Sequence, residues 1–356
     1  MRKQPFFSVV IPVYNVEPHL RKAINSILEQ TFQEYEIILV NDCSTDNSKG
    51  ICEVFTKNCE NITLVNHEKN CGLSAARNTG MKYACGKYIW FMDSDDYVEN
   101  NLLEEVYHSV QKNQADLVVF GLVEDYYDQH NALHHSKTVC PKTSYLSNLL
   151  EVRKQMIDLE MQTLYGYAWN KFYLLDRIKK LQLKYENITL IEDILFNVEY
   201  CMDIDSMNIL SIAPYHYNKR MDQSLTGKFV QDYYKLHRKR IELIFHQYMQ
   251  WDMCTDSVKQ KLAVLYSRYI FSALQRNCDK RAKMNHKQRK KWMEHVFQDP
   301  LFQELISFGD SSSVIVKIMI VLLKYERTGF CLLLGRFIFV IKNKLPMVFA
   351  KVKQRR

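Results

Sequence analysis

The sequence lacks the short motifs that mark several large classes of protein. No GxGxxG follows Val13, where the first apolar run ends, and no GxxxxGK[ST] stands near the end of a later run. A dinucleotide-binding dehydrogenase and a P-loop enzyme are therefore disfavoured. The ten cysteines are scattered, without CxxC pairs or the spacing of a zinc site, and no signal peptide precedes Pro5. These absences argue against disulfides and predict a protein of the reducing cytoplasm.

Long uninterrupted apolar runs are also missing. The C-terminal third has apolar segments at residues 314–323 and 330–341, and charged residues interrupt the region that holds them. Neither segment reaches the roughly 18 uninterrupted apolar residues that a membrane-spanning helix needs. We expect two amphipathic helices lying in the plane of a membrane, with their cations directed at anionic headgroups. A core helix followed by a solvated basic tail remains the alternative.

Acidic residues are scarce at the C-terminal end. Residues 312–356 contain ten Lys or Arg and one acid, Glu326, and this balance of +9 leaves residues 1–311 at −1 against a formal total of +8. The excess positive charge thus belongs to the tail. This distribution argues against a nucleic-acid groove through the main domain and predicts an anionic partner for the C-terminal end.

What the chain does contain is an alternation of strands and helices. Apolar runs rich in β-branched or aromatic residues, each followed by a polar loop, occupy residues 7–13, 35–40, 62–65 and 88–92. Segments with helical apolar spacing follow, as at 18–30 and 74–83. The alternation predicts an α/β fold whose mostly parallel sheet is covered by helices on both faces. The polar loops then share one edge, where such sheets bind ligands.

Carboxylates stand at this predicted edge. Asp42 follows the second strand, and Asp93, Asp95 and Asp96 follow the fourth. Carboxylates at positions i and i+2 of a turn can face one divalent cation, and such oxygen ligands suit Mg²⁺ or Mn²⁺, which bind diphosphates. An EF-hand loop is excluded, because Val98 stands where its glycine is required. For an isolated DxD, a solvated turn that caps the next helix is the alternative.

Four segments resemble the leading motifs of the family-two glycosyltransferases. They are SVVIPVYN (8–15), ILVNDCSTDNS (38–48), GLSAARNTG (72–80) and YIWFMDSDDYV (88–98), in the order and spacing of that family. The resemblance implies the GT-A fold, a Rossmann-like sheet that binds a nucleotide-sugar, and a role in polysaccharide biosynthesis. We predict a transferase domain at 1–228, a helical appendage at 229–311 and a basic, membrane-associating tail at 312–356.

The resemblance also implies roles for individual residues around the nucleotide. Those expected to bind it are Pro12, Tyr14, Glu17, Asp42, Arg77, Asp93, Ser94 and Arg220. Asp42 would accept a hydrogen bond from the uracil ring, which suits a short, fixed carboxylate. An Asx turn at Asp42 and a surface position with a packed stem for Arg77 are the alternatives.

A divalent cation and a catalytic base complete the expected site. By resemblance Asp95 is the main metal ligand, Asp93 shares the metal, and His216 is a further ligand. Mn²⁺ or Mg²⁺ would neutralise charge on the departing diphosphate.

The acidic pair Glu192 and Asp193 stands where the family places its base, and we select Asp193. The alternative is that the two acids have no catalytic role and only interact with the helix dipole, as acidic residues in a first helical turn commonly do. The family's usual glycine before this pair is Ile191 here.

The sequence therefore predicts an inverting transferase that moves a sugar from a UDP-linked donor to a hydroxyl group. By resemblance the acceptor is a lipid-linked saccharide at the inner face of the cell membrane, where the chain would be a peripheral protein. A homo-oligomer is among the expected assemblies. A metal-dependent nucleotidyltransferase and a non-catalytic membrane scaffold are the other classes considered. The sequence does not specify the sugar, the acceptor or the linkage. The polar run 124–135 is expected to be a variable loop.

Overall fold

The computed structural model forms two compact units, residues 1–224 and residues 225–356. The residues described are 4–128, 130–188, 190–220, 229–230 and 232–344. The boundaries predicted at 228 and 311 stay predictions. Residues 221–228, Ser224 among them, lie outside the described residues.

The first unit alternates strands with helices. Its strands are β1 (Phe7–Val13), β2 (Tyr35–Asn41), β3 (Ile62–Asn66), β4 (Tyr88–Phe91), β5 (Tyr97–Val98), β6 (Leu117–Tyr127), β7 (Leu133–Val139), β8 (Ser144–Leu146), β9 (Lys171–Leu174) and β10 (Met207–Lys219). Its helices are α1 (Glu17–Leu28), α2 (Ser48–Asn58), α3 (Leu73–Tyr83), α4 (Leu102–Lys112), α5 (Leu149–Met161), α6 (Leu175–Leu181) and α7 (Glu192–Tyr200).

The described strands form one sheet in the order β3-β2-β1-β4-β9-β6-β10-β5, with β7 paired to β6 and β8 to β10. The pairs β1–β2, β1–β4, β2–β3 and β6–β10 are parallel. Strand β9 is antiparallel to both β4 and β6, so those two strands run in the same direction. The predicted α/β fold with a mostly parallel sheet is confirmed.

The core of this unit lies around β1. All seven residues of that strand are buried between its neighbours β2 and β4. Helix α1 adds Leu20, Ala23, Ile24 and Ile27, which repeat at helical spacing and are fully buried. Full burial of a Leu or Ile side chain stabilises a fold by roughly 1.5–3 kcal/mol. This packing fixes the carboxyl end of β1, where the first polar loop begins.

The prediction of a loop at 124–135 was wrong for residues 124–127 and 133–135, which belong to strands. Strand β6 continues to Tyr127, β7 begins at Leu133, and the two strands form an antiparallel hairpin in which Glu124 pairs with Lys137. The ring of Tyr126 stacks on His135 at 4.4 Å. This part of the hairpin is polar because it extends past the buried part of the sheet. Side chains that face solvent need not be apolar, so the apolar pattern that marks a strand is missing here.

The second unit is helical. Its elements are α8 (Tyr233–Gln250), α9 (Asp256–Asn277), a 3₁₀ turn (Lys280–Ala282), α10 (His286–Phe297), α11 (Pro300–Ile306), α12 (Val314–Lys324) and α13 (Thr328–Lys344). Helix α9 packs against α8, α11, α12 and α13, with Leu262, Leu265 and Ile270 buried. The helices predicted in the C-terminal third are present. Within the described residues, none is long and apolar enough to cross a membrane.

We predict that Gly121→Ala lowers the free energy of unfolding by about 1–3 kcal/mol, as expected for overpacking against atoms that cannot move away. A Cβ at Gly121 would lie 2.3 Å from the carbonyl oxygen of Val139 and 2.8 Å from that of Ile212, both backbone atoms. Gly329→Ala is the matched control, because nothing lies within 4 Å of the added atom. Equal unfolding midpoints for the two variants in urea would contradict the prediction.

Candidate functional site

The loops that follow β1 and β2 are joined by hydrogen bonds. Asn15, which has a positive φ of 50°, accepts a bond from the backbone N–H of Thr45 at 2.8 Å. The N–H of Glu17 donates to Asp46 at 3.0 Å, and the Glu17 carboxylate accepts from the N–H of Asn47 at 3.1 Å. Glu17, which was predicted to line the nucleoside pocket, therefore also fastens the two loops together.

The strand register places the other predicted pocket residues at the same edge. Pro12 is buried in β1 opposite Val40. The N–H of Asp42 donates to the carbonyl oxygen of Val13 at 2.9 Å, so Asp42 lies beside the end of β1. Tyr14 comes directly after Val13, the last residue of β1, and is 47% exposed. An exposed ring at the rim of a polar cleft is available to a planar ligand.

Asp42 is buried and receives three hydrogen bonds. One oxygen accepts from the N–H of Cys71 at 2.8 Å and contacts Nδ1 of His67 at 2.7 Å, while the other accepts from the N–H of Gly72 at 2.7 Å. Gly72 has φ +90°, a conformation that favours glycine. These contacts fix the carboxylate and leave about one of its four lone-pair positions for a further donor.

His67 is a contributor that the sequence did not reveal. Its Nδ1 contacts Asp42, and its Nε2 lies 2.9 Å from the hydroxyl of Thr79. Among the described residues, one group of three His, Cys, Asp or Glu side chains has its potential metal-ligand atoms within 4.8 Å of one another. The group consists of Asp42, His67 and Cys71. Because both ring nitrogens already have hydrogen-bond partners, we interpret the group as a support for Asp42. The one available signal was a histidine directly after β3.

The acidic turn after β4 is anchored through Asp96. Its carboxylate is buried and accepts from the hydroxyl of Tyr215 at 2.8 Å and the N–H of Asn218 at 2.8 Å. Burial, with repulsion from Asp95 and Asp93, raises the pKa of Asp96 well above its ordinary value. Asp96, for which the sequence predicted no role, thus fastens the turn to β10.

Asp95 stands at the open side of the same turn. Its side chain is 47% exposed, and Nη1 of Arg220 lies 3.8 Å from a carboxylate oxygen. The carbonyl oxygen of Asp95 accepts from the side chain of Asn218 at 2.8 Å. Ser94 is buried between the two aspartates. The structure therefore brings Asp95 and Arg220 together, as their predicted roles require.

Arg77 is the buried centre of the site. Helix α3 approaches β1 closely, since a Cβ at Gly80 would lie 2.2 Å from Val10, and this packing buries Arg77 to 1% exposure. Its guanidinium contacts Asp93 at 3.2 Å and donates to Asp193, and it lies 4.0 Å from Glu192. The arginine thus joins the turn after β4 to the start of α7.

Two of these carboxyl groups titrate abnormally. Burial raises the pKa of Asp93 to about 6, against the opposing effect of Arg77 and with repulsion from Asp95. Burial also raises the pKa of Glu192 to about 7, and Asp193 adds to the rise. One oxygen of Glu192 is buried with no hydrogen-bond partner in the described structure. Negative charge is therefore in excess around a single guanidinium.

The start of α7 does not require the family's usual glycine at position 191. Ile191 is the residue before the helix and has φ −125°, which any residue adopts. The positive φ, 73°, belongs to Leu190. Local strain of this kind at a non-glycine residue persists only when the surrounding structure maintains it.

A neighbouring loop holds the second oxygen of Asp193. The N–H of Ala168 donates to it at 3.1 Å. That loop is fixed by the buried Lys171, whose ammonium donates to the carbonyl oxygens of Leu164 and Tyr167 at 2.5 and 2.7 Å. Lys171 therefore supports the loop beside the predicted base.

His216 has both ring nitrogens engaged by carboxylates. Nδ1 lies 2.7 Å from Asp125 and Nε2 lies 2.9 Å from Glu99, and the ring stacks on Tyr97 at 4.3 Å. The structure does not place His216 on Asp95, and its role as a metal ligand stays a prediction.

The carboxylates of the turn fit a divalent cation. Mg²⁺ and Mn²⁺ sites of this type use one or two carboxylates and complete their shell with water and substrate phosphates. Asp95 is exposed enough to serve, and the mutual repulsion of Asp93, Asp95 and Asp193 would be relieved by added positive charge. The residues present therefore suit such an ion.

A family model described as "Glycosyl transferase family 2" matches residues 8–178. This region of the chain, 171 of the 356 residues, is therefore similar to members of glycosyl transferase family 2. Among its relatives is EpsJ of Bacillus subtilis, described as an uncharacterized glycosyltransferase, which is 32% identical over 60% of this chain and 61% of EpsJ. GgaB of the same organism, a minor teichoic acid biosynthesis protein, is 32% identical over 61% of this chain and 23% of GgaB. The match thus spans less than two thirds of either relative.

A solved structure resembles this chain over most of its length. It is Staphylococcus aureus TarS 1–349 in complex with UDP-GlcNAc, with a TM-score of 0.63, 21% identity, and coverage of 95% of this chain and 91% of that one. The likeness shows a shared fold and confirms the predicted GT-A architecture.

We predict that Arg77→Met lowers the free energy of unfolding by about 3–5 kcal/mol, because it leaves the partly buried carboxylates of Asp93 and Asp193 without their counter-ion. Lys49→Met is the control, since Lys49 pairs with Glu53, both side chains are more than half exposed, and such surface pairs contribute about 0–1 kcal/mol. Urea unfolding measures both. A similar small loss in the two variants would show that Arg77 does not organise the site.

We also predict a pH dependence of stability that belongs to Glu192. Its pKa is raised, so the folded state holds the proton more tightly than the unfolded state, and stability is lost as the pH rises from about 4.5 to about 7. Glu192→Gln cannot ionise and should be more stable, relative to the parent protein, at pH 8 than at pH 4. Unfolding free energies across this range test the difference. Glu29→Gln, at an exposed position, should show no such trend.

Proposed function

We propose that this protein is a glycosyltransferase that transfers a sugar from a UDP-linked donor to an acceptor hydroxyl with inversion at the anomeric carbon. The observation that carries the proposal is the buried guanidinium of Arg77, which contacts Asp93 in the turn after β4 and Asp193 at the start of α7. The proposed donor-binding carboxylate and the proposed proton-accepting carboxylate are thus held by the two terminal nitrogens of one buried cation.

The donor nucleoside would bind at the edge formed by β1 and β2. Asp42 is held by three donors and retains capacity for one more, which suits the single ring N–H of uracil. Pro12, Tyr14 and Glu17 lie at the same edge. The UDP-GlcNAc complex of TarS, which shares the fold, supports a UDP-sugar as the donor class.

The diphosphate would lie over the acidic turn. Asp95 and Asp93 would hold Mn²⁺ or Mg²⁺, and the ion would neutralise charge on the leaving diphosphate. Arg220, beside Asp95, would supply a second positive charge that needs no metal. Ser94 is buried in this turn, so its contribution would be mainly to the turn's shape.

Asp193 is the proposed general base. Arg77 and the N–H of Ala168 orient its two oxygens and leave lone pairs on both. In the proposed step, the acceptor oxygen bonds to the anomeric carbon as the bond from that carbon to the diphosphate oxygen breaks. The hydroxyl proton passes to the Asp193 carboxylate. One displacement of this kind inverts the anomeric centre. Glu192, adjacent and partly protonated near neutral pH, is the competing candidate.

The acceptor we propose is a lipid-linked saccharide of a surface polysaccharide. The description of GgaB as a teichoic acid biosynthesis protein supports this class of pathway. A lipid-linked acceptor implies that this protein acts at the inner face of the membrane, as a peripheral protein.

We predict UDP release from one member of a UDP-sugar panel when Mn²⁺ or Mg²⁺ and suitable saccharide acceptors are present, with Asp95→Ala almost inactive because the diphosphate charge is no longer balanced. Asp193→Asn should lower kcat by about 10²–10⁴-fold, the usual contribution of a general base, while UDP affinity is retained. Asp205→Asn, at an exposed position, is the control.

The products and variants separate the alternatives. Release of inorganic diphosphate in place of UDP would identify a nucleotidyltransferase. No turnover with any donor would favour a non-catalytic scaffold. Full turnover by Asp193→Asn, with Asp95→Ala inactive, would leave the metal assignment standing and move the base to another residue, with Glu192→Gln as the next variant to measure.

A further inference from the structure

Helix α12 is apolar on two opposite faces. Val316, Met319, Ile320 and Leu323 repeat at helical spacing and are buried in the second unit. The other face also carries apolar side chains, which are exposed: Val314, Ile315, Ile318 and Val321, with Tyr325 just after the helix. A surface helix of a soluble protein normally presents polar residues on the face away from the core. The second apolar face therefore needs a partner.

Helix α13 repeats this arrangement. Cys331 is buried, and Gly335 brings the helix so close to α9 that an added Cβ would lie 2.9 Å from Leu274. The side chains that point away from this contact are Phe330, Leu333, Phe337 and Val340, spaced at i, i+3, i+7 and i+10 and 40–67% exposed. We call the exposed apolar side chains of α12, Tyr325 and α13 together the α12–α13 face.

The exposed apolar residues are concentrated on this face. Seventeen large hydrophobic side chains are exposed in the part of the chain that the structure describes, and nine of them lie between Val314 and Val340. The other eight are scattered over residues 14–249, and single exposed hydrophobic residues are ordinary. A contiguous group marks an interaction surface.

Cations accompany the apolar side chains. Lys317, Lys324, Arg327 and Arg336 are exposed on the same two helices and the turn between them, where the one acid is Glu326. Lys317 is 3.7 Å from Asp310, and both side chains are more than 60% exposed, so the pair is weak. Apolar side chains bordered by Lys and Arg are the pattern of a helix that lies in the interface of an anionic membrane.

We propose that the α12–α13 face inserts into the boundary between headgroups and acyl chains of an anionic lipid membrane. The charge decides between a membrane and a second copy of this chain. Two copies meeting through this face would bring eight exposed cations together with two acids, whereas anionic headgroups neutralise them. The proposal rests on the proposed function only for the identity of the lipid-linked acceptor, since the surface exists whatever the reaction.

The test is flotation of the full chain with vesicles of phosphatidylglycerol and phosphatidylcholine in equal parts, compared with phosphatidylcholine alone. The parent protein should bind the anionic vesicles, and Leu333→Ser/Phe337→Ser should bind them at least about tenfold more weakly, because apolar burial drives insertion. Lys324→Gln/Arg327→Gln should weaken binding to anionic vesicles only. Val54→Ser/Leu150→Ser, which removes exposed apolar side chains elsewhere, is the matched control and should bind normally.

UDP affinity and circular dichroism, measured without vesicles, should be unchanged in all of these variants, so loss of membrane binding and failure of the proposed reaction are separate results. Should the serine variant misfold, the glutamine variant carries the test. Absence of preferential binding to anionic vesicles by the parent protein would overturn the proposal. So would a concentration-dependent dimer that Leu333→Ser/Phe337→Ser abolishes while vesicle binding persists, since that result assigns the face to a second copy.

Discussion

The first unit depends on the burial of one charged group, the guanidinium of Arg77, away from water. Burial of a charge is tolerated only when partners surround it, and Arg77 obtains them from two separate parts of the chain, the turn after β4 and the start of α7. Helix α3 can carry the arginine this deep because Gly80 allows it to lie against β1. The position of each carboxylate is therefore set by packing as well as by its own loop.

The fold was largely predictable from sequence because its signals are local. Runs such as Phe7–Val13 and Tyr88–Phe91 alternate with helical segments, and a parallel sheet then places Asp42 and Asp93 at one edge. The hairpin of β6 and β7 was missed because Glu124 to His135 is polar, so the strand ends beside the turn lack the apolar pattern by which a strand is recognised.

The sequence named candidate members of the site but not the contacts between them. Asp42, Asp93, Asp95, Asp193 and Arg77 were selected by resemblance, and the structure brings Arg77 to two of them. What the sequence could not supply was the set of supporting bonds: His67 on Asp42, the hydroxyl of Tyr215 on Asp96, and Lys171 beneath the loop that reaches Asp193. These residues are distant in sequence, and their types are common in roles unrelated to catalysis.

The bond between Tyr215 and Asp96 has a mechanical consequence. Strand β10 is hydrogen-bonded to the acidic turn through Tyr215 and Asn218, and it ends directly before Arg220. The carboxylate of Asp95 and the guanidinium of Arg220 are therefore linked through the same set of hydrogen bonds. Displacement of the end of β10 would carry both charges together and preserve their separation. It would change instead their distance from Asp42, which is tied to β1 and α3. The spacing between the proposed nucleoside site and the proposed diphosphate site would therefore depend on the position of β10 in the sheet.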